Sequence, residues 1–360
     1  MSERLEFADA LRGYAILGVM LVHCWIALNP INLPEWLKTA SINGSFGVQL
    51  FFIASAFTLF YSLTYAHVKR EGWKSFFIRR IFRVVPMFYI AIVLYSVLLT
   101  LNWFPVVGTT SSDASISNII SHLIFSFGFD TVHINTLVPG GWSIATELAF
   151  YLTIPIIYTY VKNTTHICIL LIGSALANII FLVSKNSFAI ANPTYTFYWL
   201  PNQFPVFCLG ILLFFLLKEV TFNSELIKRC IGFGSILVSL GLLYYFIFIY
   251  ASPMTGTIKL YALSIAFMIF AFGIAVYPGV MVNKFITYLG KISYSCYLLH
   301  FIVVSAISSL IIPLIPEITI PVFIGTYLSV ILITMGISSL TYTYIEAPGI
   351  NIGKQLEREL

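Results

Sequence analysis

Ten stretches of this chain, near 8–28, 45–65, 81–101, 141–160, 166–183, 197–217, 230–250, 259–277, 292–312 and 320–344, are apolar over enough residues to cross the hydrocarbon core of a bilayer. Lipid offers backbone groups no hydrogen-bond partner, so such runs must be helices. They are too long and too uniformly apolar for barrel strands. The expected fold class is therefore an all-α polytopic membrane protein of about ten transmembrane helices. Length would also allow two soluble domains, but only 9% of the residues are charged, against about a quarter in a soluble domain. The first run opens on Asp9 and Arg12, and no small-x-small cleavage site follows it. It reads as a retained helix rather than a signal peptide.

Lysine and arginine set the expected orientation. With the N-terminus in the cytoplasm, the inner connections carry Lys69, Arg70, Lys74, Arg79, Arg80, Lys162, Lys218, Lys228, Arg229, Lys284, Lys291, Lys354 and Arg358, while the outer ones carry only Lys38, Lys185 and Lys259. Both termini are then cytoplasmic, with residues 1–350 as one transmembrane domain and 351–360 as a short tail. The net charge of +5 is spread in short clusters between apolar runs, which argues against a nucleic-acid partner. The five cysteines are scattered with no metal-type or CxxC spacing; they read as core residues, and no metal site is expected. Two regions are irregular. The outer loop 102–140 contains an apolar stretch, 116–129, too short to span; it is expected to lie in the interface or to re-enter. Residues 184–205, with Pro193, Pro201 and Pro205, read as a broken or late-starting helix, of the kind that lines a cavity.

Charged and titratable groups inside spans are costly and point to function. Arg12 and His23 are eleven residues apart, about three helical turns, so they share a face roughly 16 Å apart along the axis. Asp9 lies one turn before Arg12: either the two form a local pair, or Arg12 faces a polar cavity in line with His23. Glu147, one to two turns into the fourth span, is expected at a similar depth to His23. A carboxylate beside an imidazole fixes its tautomer and makes it a better base; a structural pair is the alternative. Arg80 and Arg83 share one helix face, where like charges repel. Membrane anchoring explains one of them, and an anionic ligand such as phosphate would relieve both. Ser293, Tyr297 and His300 recur at helical spacing as a polar face, for structural hydrogen bonding or for cavity lining. Glu346, at the inner end of the last span, reads as a cap or ion-pair group.

Together these motifs resemble the integral-membrane acyltransferase 3 family over nearly the whole chain. FADALRGYAILGVMLVH is similar to its Arg-x10-His pattern (Arg12, His23), RRIFRVVP to its Arg-x2-Arg-x2-Pro pattern (Arg80, Arg83, Pro86), and WSIATELAFY to its Trp-Ser-x3-Glu-x3-Tyr pattern (Trp142, Ser143, Glu147). FPVFCLGILL and ISYSCYLLH resemble two further segments, the second ending at His300. The chain departs at Glu346-Ala347-Pro348, where the family often has Glu-Arg-Pro.

The resemblance implies transfer of an acyl group, most often acetyl, from cytoplasmic acyl-CoA to a hydroxyl of a carbohydrate or glycolipid. No cofactor is held permanently; acetyl-CoA is the donor substrate. On this view His23 and Glu147 are catalytic, with His23 as base or as covalent acyl carrier. Arg80 and Arg83, with Arg12, hold the donor phosphates, and Asp9, Trp142, Ser143, Asn202, Tyr297 and His300 line the substrate cavity. Some relatives carry a fused esterase-like domain; this sequence stops at Leu360 without one, so transfer would be completed by the chain itself or handed to a separate protein. The implied setting is a bacterial inner membrane, with lipids, a lipopolysaccharide, exopolysaccharide or other glycan acceptor, and glycan-assembly proteins as partners. A lipid-linked saccharide transporter or flippase is the alternative. It explains the helices and the broken helix, and explains the inner arginines beside an intramembrane histidine and glutamate less well.

Overall fold

The computed structural model describes residues 5–30, 32–65, 68–184, 193–250, 256–315 and 317–358. In chain order the helices are α1 (Glu6–Leu28), α2 (Glu35–Asn43), α3 (Gly47–Tyr65), α4 (Val68–Leu101), α5 (Ile116–Leu123), α6 (Gly141–Tyr160), α7 (Thr164–Ser184), α8 (Pro193–Tyr198), α9 (Leu200–Glu219), α10 (Glu225–Tyr244), α11 (Gly256–Val276), α12 (Lys284–Lys291), α13 (Ser293–Ile311), α14 (Ile320–Thr341) and α15 (Ala347–Arg358). No strand occurs among the described residues. Among the described residues nine helical stretches are long and apolar enough to cross a membrane. The tenth expected segment, 141–160, also folds as one helix of 20 residues, α6. It is not among the nine: Trp142, Ser143, Thr146, Glu147 and Tyr151 dilute its apolar content. The chain is thus an all-α, multi-pass membrane protein.

Several helix ends differ from the sequence expectation, each for a local reason. The segment expected near 230 starts at Glu225 because the Ser224 hydroxyl caps it, accepting from the Ile227 amide at 3.2 Å. Lys228 and Arg229, counted as loop charges, therefore lie in the first helical turns, within 3.7 Å of Glu225. At the other end, residues 351–358 continue as helix α15, entered through a π-helical turn over Tyr342–Glu346. The break expected in 184–205 is present: α8 ends at Tyr198, Trp199 is extended (φ −64°, ψ 156°), and α9 begins at Leu200. Residues 185–192 lie outside the described residues.

The chain divides into two compact units: residues 1–15, 46–67 and 146–290, and residues 16–45, 68–145 and 291–360. In the first, α10 and α11 meet at Gly232 and Gly273, where a side chain on either would run into the opposite backbone. Lipid supplies no hydrophobic force between helices, so close packing of this kind must hold them. Stacked Phe52, Phe207 and Phe150 fill the space between α3, α9 and α6, with ring centroids 4.4 and 4.0 Å apart. In the second unit, Cys24, Trp25 and Leu28 of α1 pack with Val304 of α13 and with Phe323 and Val330 of α14. Helix α15 lies on α4, with Gly349 and Gly353 against Phe82 and an Arg79–Glu357 ion pair.

The 116–129 stretch does not span. Ser115 caps the short helix α5, whose Ile116 and Ile120 are exposed while Asn118 and His122 are buried. Phe125 then turns the chain through a left-handed conformation (φ 59°) into a 3-10 turn, Ser126–Phe129. His122 stacks flat on Phe127, centroids 4.0 Å apart, and donates from Nδ1 to Asn118 O at 2.9 Å. Burial pulls its pKa down to about 4.

Candidate active site

In the second unit α1 and α13 bring His23 and His300 together. His300 is fully buried. Its Nδ1 lies 2.8 Å from Tyr297 O and 3.1 Å from Cys296 O. Two carbonyl acceptors at one ring nitrogen require a proton there, so the neutral ring carries its lone pair on Nε2. That Nε2 is 3.0 Å from His23 Nδ1, which is itself 2.8 Å from Val19 O. His23 Nδ1 thus faces two acceptors and must be the protonated nitrogen. The lone pair of His23 then sits on Nε2, which has no hydrogen-bond partner among the described residues, on a ring that is only partly buried. Backbone carbonyls of two helices, through His300, dictate this tautomer. Phe301 packs against both rings at 4.1 and 4.2 Å, fixing their planes.

One turn away on α13, the Tyr297 hydroxyl donates to Gly140 O at 3.0 Å and accepts from Ser143 Oγ at 2.9 Å. Ser143 and Trp142 are both buried at the start of α6. Gly140 has φ 79°, and a side chain there would meet the Tyr297 ring; glycine is required on both counts. Tyr297, Ser143 and Trp142, expected as cavity wall, here form the buried joint between the loop and α6. Glu346 is also buried and accepts from Ser295 Oγ at 2.9 Å.

On α4 the guanidinium of Arg80 lies 5.6 Å over the Phe76 ring, and Arg80 and Arg83 are both half-buried. Arg79 is engaged by Glu357 of α15. Of the three arginines expected at this helix start, one is therefore tied to a segment that the sequence presents as a tail.

In the first unit Glu147 accepts through Oε1 from the Ser55 hydroxyl of α3 and from the Tyr151 hydroxyl at 2.6 Å. Two hydroxyl donors on one oxygen hold the carboxylate in place. Arg12 donates to Thr58 Oγ1 at 2.9 Å and lies 3.4 Å from Asp9, so the local pair is present and has a third member. Asn202 is fully buried. It donates to Phe197 O at 2.9 Å and accepts from Asn178 at 2.9 Å and from Thr257 at 3.3 Å. Gln203 also donates to Phe197 O, and Gln49 donates to Gln203. These amides satisfy the carbonyl exposed by the α8–α9 break.

Ser55 and Thr58 were not singled out in the sequence, although polar residues three apart in an apolar span share a face. The contact between His300 and His23 had no sequence signal beyond the polar face of α13: their separation of 277 residues leaves no local pattern.

A family described as an acyltransferase domain matches residues 5–342 of the chain, and the chain belongs to that acyltransferase family. Its curated relatives include O-acetyltransferase OatA from Staphylococcus aureus strain NCTC 8325 and from strain COL. Each is 25% identical over 361 aligned residues, which cover 94% of this chain and 56% of the relative. The chain thus spans about half the length of these relatives. No solved structure matches it.

Proposed function

We propose that this protein transfers an acetyl group from acetyl-CoA to a hydroxyl of a cell-surface carbohydrate or lipid-linked glycan, in a bacterial inner membrane. The observation that carries the proposal is the lone pair on His23 Nε2, fixed by Val19 O and His300 and without a partner among the described residues. The O-acetyltransferase names of the relatives support the class of acyl group and of acceptor atom.

In the proposed step, His23 Nε2 takes the proton of the acceptor hydroxyl as the oxygen attacks the thioester carbonyl. The C–S bond breaks, and the thiolate of CoA leaves and receives that proton. While His23 is doubly protonated, its Nδ1–H points at His300 Nε2, so the charge is shared with a second imidazole. Arg80 and Arg83 are proposed to bind the phosphates of CoA through charge-assisted hydrogen bonds, and Arg12 is proposed to assist on the strength of its motif. Glu147, a carboxylate held by Ser55 and Tyr151, is proposed as the second catalytic residue, supporting the positive charge that His23 gains. Asp9 keeps Arg12 in position.

The test supplies radiolabelled acetyl-CoA and a mixed glycan pool to the purified protein in liposomes. Label should reach glycan in the wild type and not in His23→Ala. Label retained on the protein instead would replace direct transfer with an acyl-histidine intermediate. Glycan movement across the bilayer without acetyl-CoA would replace the proposal with a transporter.

A further inference from the structure

A third cation stands beside the two arginines proposed for the donor, and it comes from a different helix. Lys291 ends α12, and Tyr294 follows it by three residues in the first turn of α13. The Tyr294 hydroxyl donates to Val84 O of α4 at 2.8 Å. Further along both helices, the Tyr95 hydroxyl of α4 donates to Leu298 O of α13 at 2.7 Å. The two bonds follow the same order on both helices, so α4 and α13 are neighbours and run parallel. Helices in contact have axes about 8–10 Å apart.

The height of Lys291 follows from these bonds. Helical side chains lean toward the helix N-terminus, so the Tyr294 hydroxyl meets α4 at the level of the turn that holds Lys291. On α4, Arg83 adjoins Val84, and Arg80 lies four residues before Val84 on the same face. Arg80, Arg83 and Lys291 therefore lie at one height on two neighbouring helices, and all three are partly exposed. Lys291 Nζ sits 5.2 Å over the Tyr342 ring, a contact that steers the ammonium without cancelling its charge. No carboxylate pairs with it among the described residues.

Three like charges this close suit an anion with more than one charged group. Arg80 and Arg83, one turn apart on a single helix, match two adjoining phosphates, which guanidinium forks bind in pairs. Lys291 stands apart on the other helix and offers a point charge to a phosphate separate from those two. Acyl-CoA carries that arrangement: a diphosphate, and a 3′-phosphate on the ribose. We infer that Lys291 binds the 3′-phosphate of acyl-CoA while Arg80 and Arg83 bind its diphosphate, so that the protein distinguishes acyl-CoA from the same donor without the 3′-phosphate. The inference rests on the acyl-CoA reading above and adds a specificity residue to it.

The probes are acetyl-CoA and 3′-dephospho-acetyl-CoA, each titrated into purified full-length protein in a non-ionic detergent and read by calorimetry. The wild type should bind acetyl-CoA about ten-fold more tightly, the worth of one charged hydrogen bond. Lys291→Gln should weaken acetyl-CoA by that factor and leave the dephospho donor where it was, with the melting temperature of the unliganded protein unchanged. Lys291→Arg, which keeps the charge, should retain most of the preference. Equal binding of the two donors by the wild type would overturn the inference and leave the acyl-CoA reading standing. So would an undiminished preference in Lys291→Gln, or an equal loss for both donors. Binding of neither donor by folded protein would remove the acyl-CoA reading, and this inference with it.

Discussion

The second unit's histidine pair and the first unit's amide network are both polar clusters among apolar helices, yet they are built to opposite ends. Around Asn202 and Gln203, side-chain amides close onto the Phe197 carbonyl and onto one another. None of these groups titrates, and they hold the broken helix in one geometry. Around His23 and His300, every ring nitrogen but one is committed to a carbonyl or to the other ring. The one left over is a basic lone pair on a partly exposed ring. The amides serve to fix the backbone at the helix break, whereas the histidine pair leaves a titratable nitrogen on a partly exposed ring open to a substrate.

That contrast can be broken most directly by exchanging the readouts. His23→Ala should lower acetyl transfer by about 10³-fold, within the usual worth of a general base, with little change in melting temperature. A comparable loss of thermal stability would place His23 with the structural cluster. Asn202→Leu should do the reverse. It removes the bonds to Phe197 O, Asn178 and Thr257, while Gln203 still serves the carbonyl and Tyr261 still accepts from Asn178. At about 0.5–1.5 kcal/mol per bond lost it should lower the melting temperature while turnover per folded molecule stays near wild type. A large loss of turnover at full stability would move Asn202 to the reacting groups.

Substitution at His300 sharpens the account of how His23 is held. His300→Gln keeps an acceptor for His23 Nδ1–H, whereas His300→Phe removes it. Turnover should fall roughly ten-fold more in the phenylalanine variant, with KM for acetyl-CoA unchanged in both and the pH profile displaced. Equal losses would mean that His300 acts only as filler.

His122 supplies a third kind of polar residue: a buried histidine on α5 whose Nε2 also lacks a partner among the described residues, but is sealed from solvent. Its folded-state pKa of about 4 lies below the ordinary 6.5, so folding favours the neutral ring. The stabilisation is complete above about pH 6.5 and drains away as the pH falls toward 4. At pH 4.5 the wild type should be about 2 kcal/mol less stable than at pH 7 from this group. His122→Phe, which keeps the stack on Phe127, should lose that part of the pH dependence in a thermal melt. The smallest effect is expected at Arg83. Arg83→Ala should raise KM for acetyl-CoA about ten-fold, the worth of one charged hydrogen bond, with kcat little changed. A fall in kcat alone would take Arg83 out of donor binding.

The membrane helices were legible because hydropathy records, residue by residue, the cost of placing a side chain in lipid, and the backbone there can only be helical. Their ends were less so. Glu225, Lys228 and Arg229 look like loop in composition, and a single Ser224 hydroxyl makes them helix. The last residues read as a tail because Glu357 and Arg358 are charged; the Arg79–Glu357 pair and the packing of Gly353 on Phe82 belong to no local pattern. Of the site, His23, Glu147 and the arginines stood out because each is expensive where it lies.

By itself the sequence determined the class of fold, the irregular loop, the broken helix and the family, since each depends on local composition or on motifs that can be read in order. Tertiary structure alone decided which polar residues meet: His300 with His23, Ser55 with Glu147, Thr58 with Arg12. It also decided which nitrogen of His23 keeps a lone pair. A tautomer follows from the carbonyls around a ring, and those carbonyls come from Val19 on one helix and from Cys296 and Tyr297 on another. Only packing in three dimensions brings them to the same place.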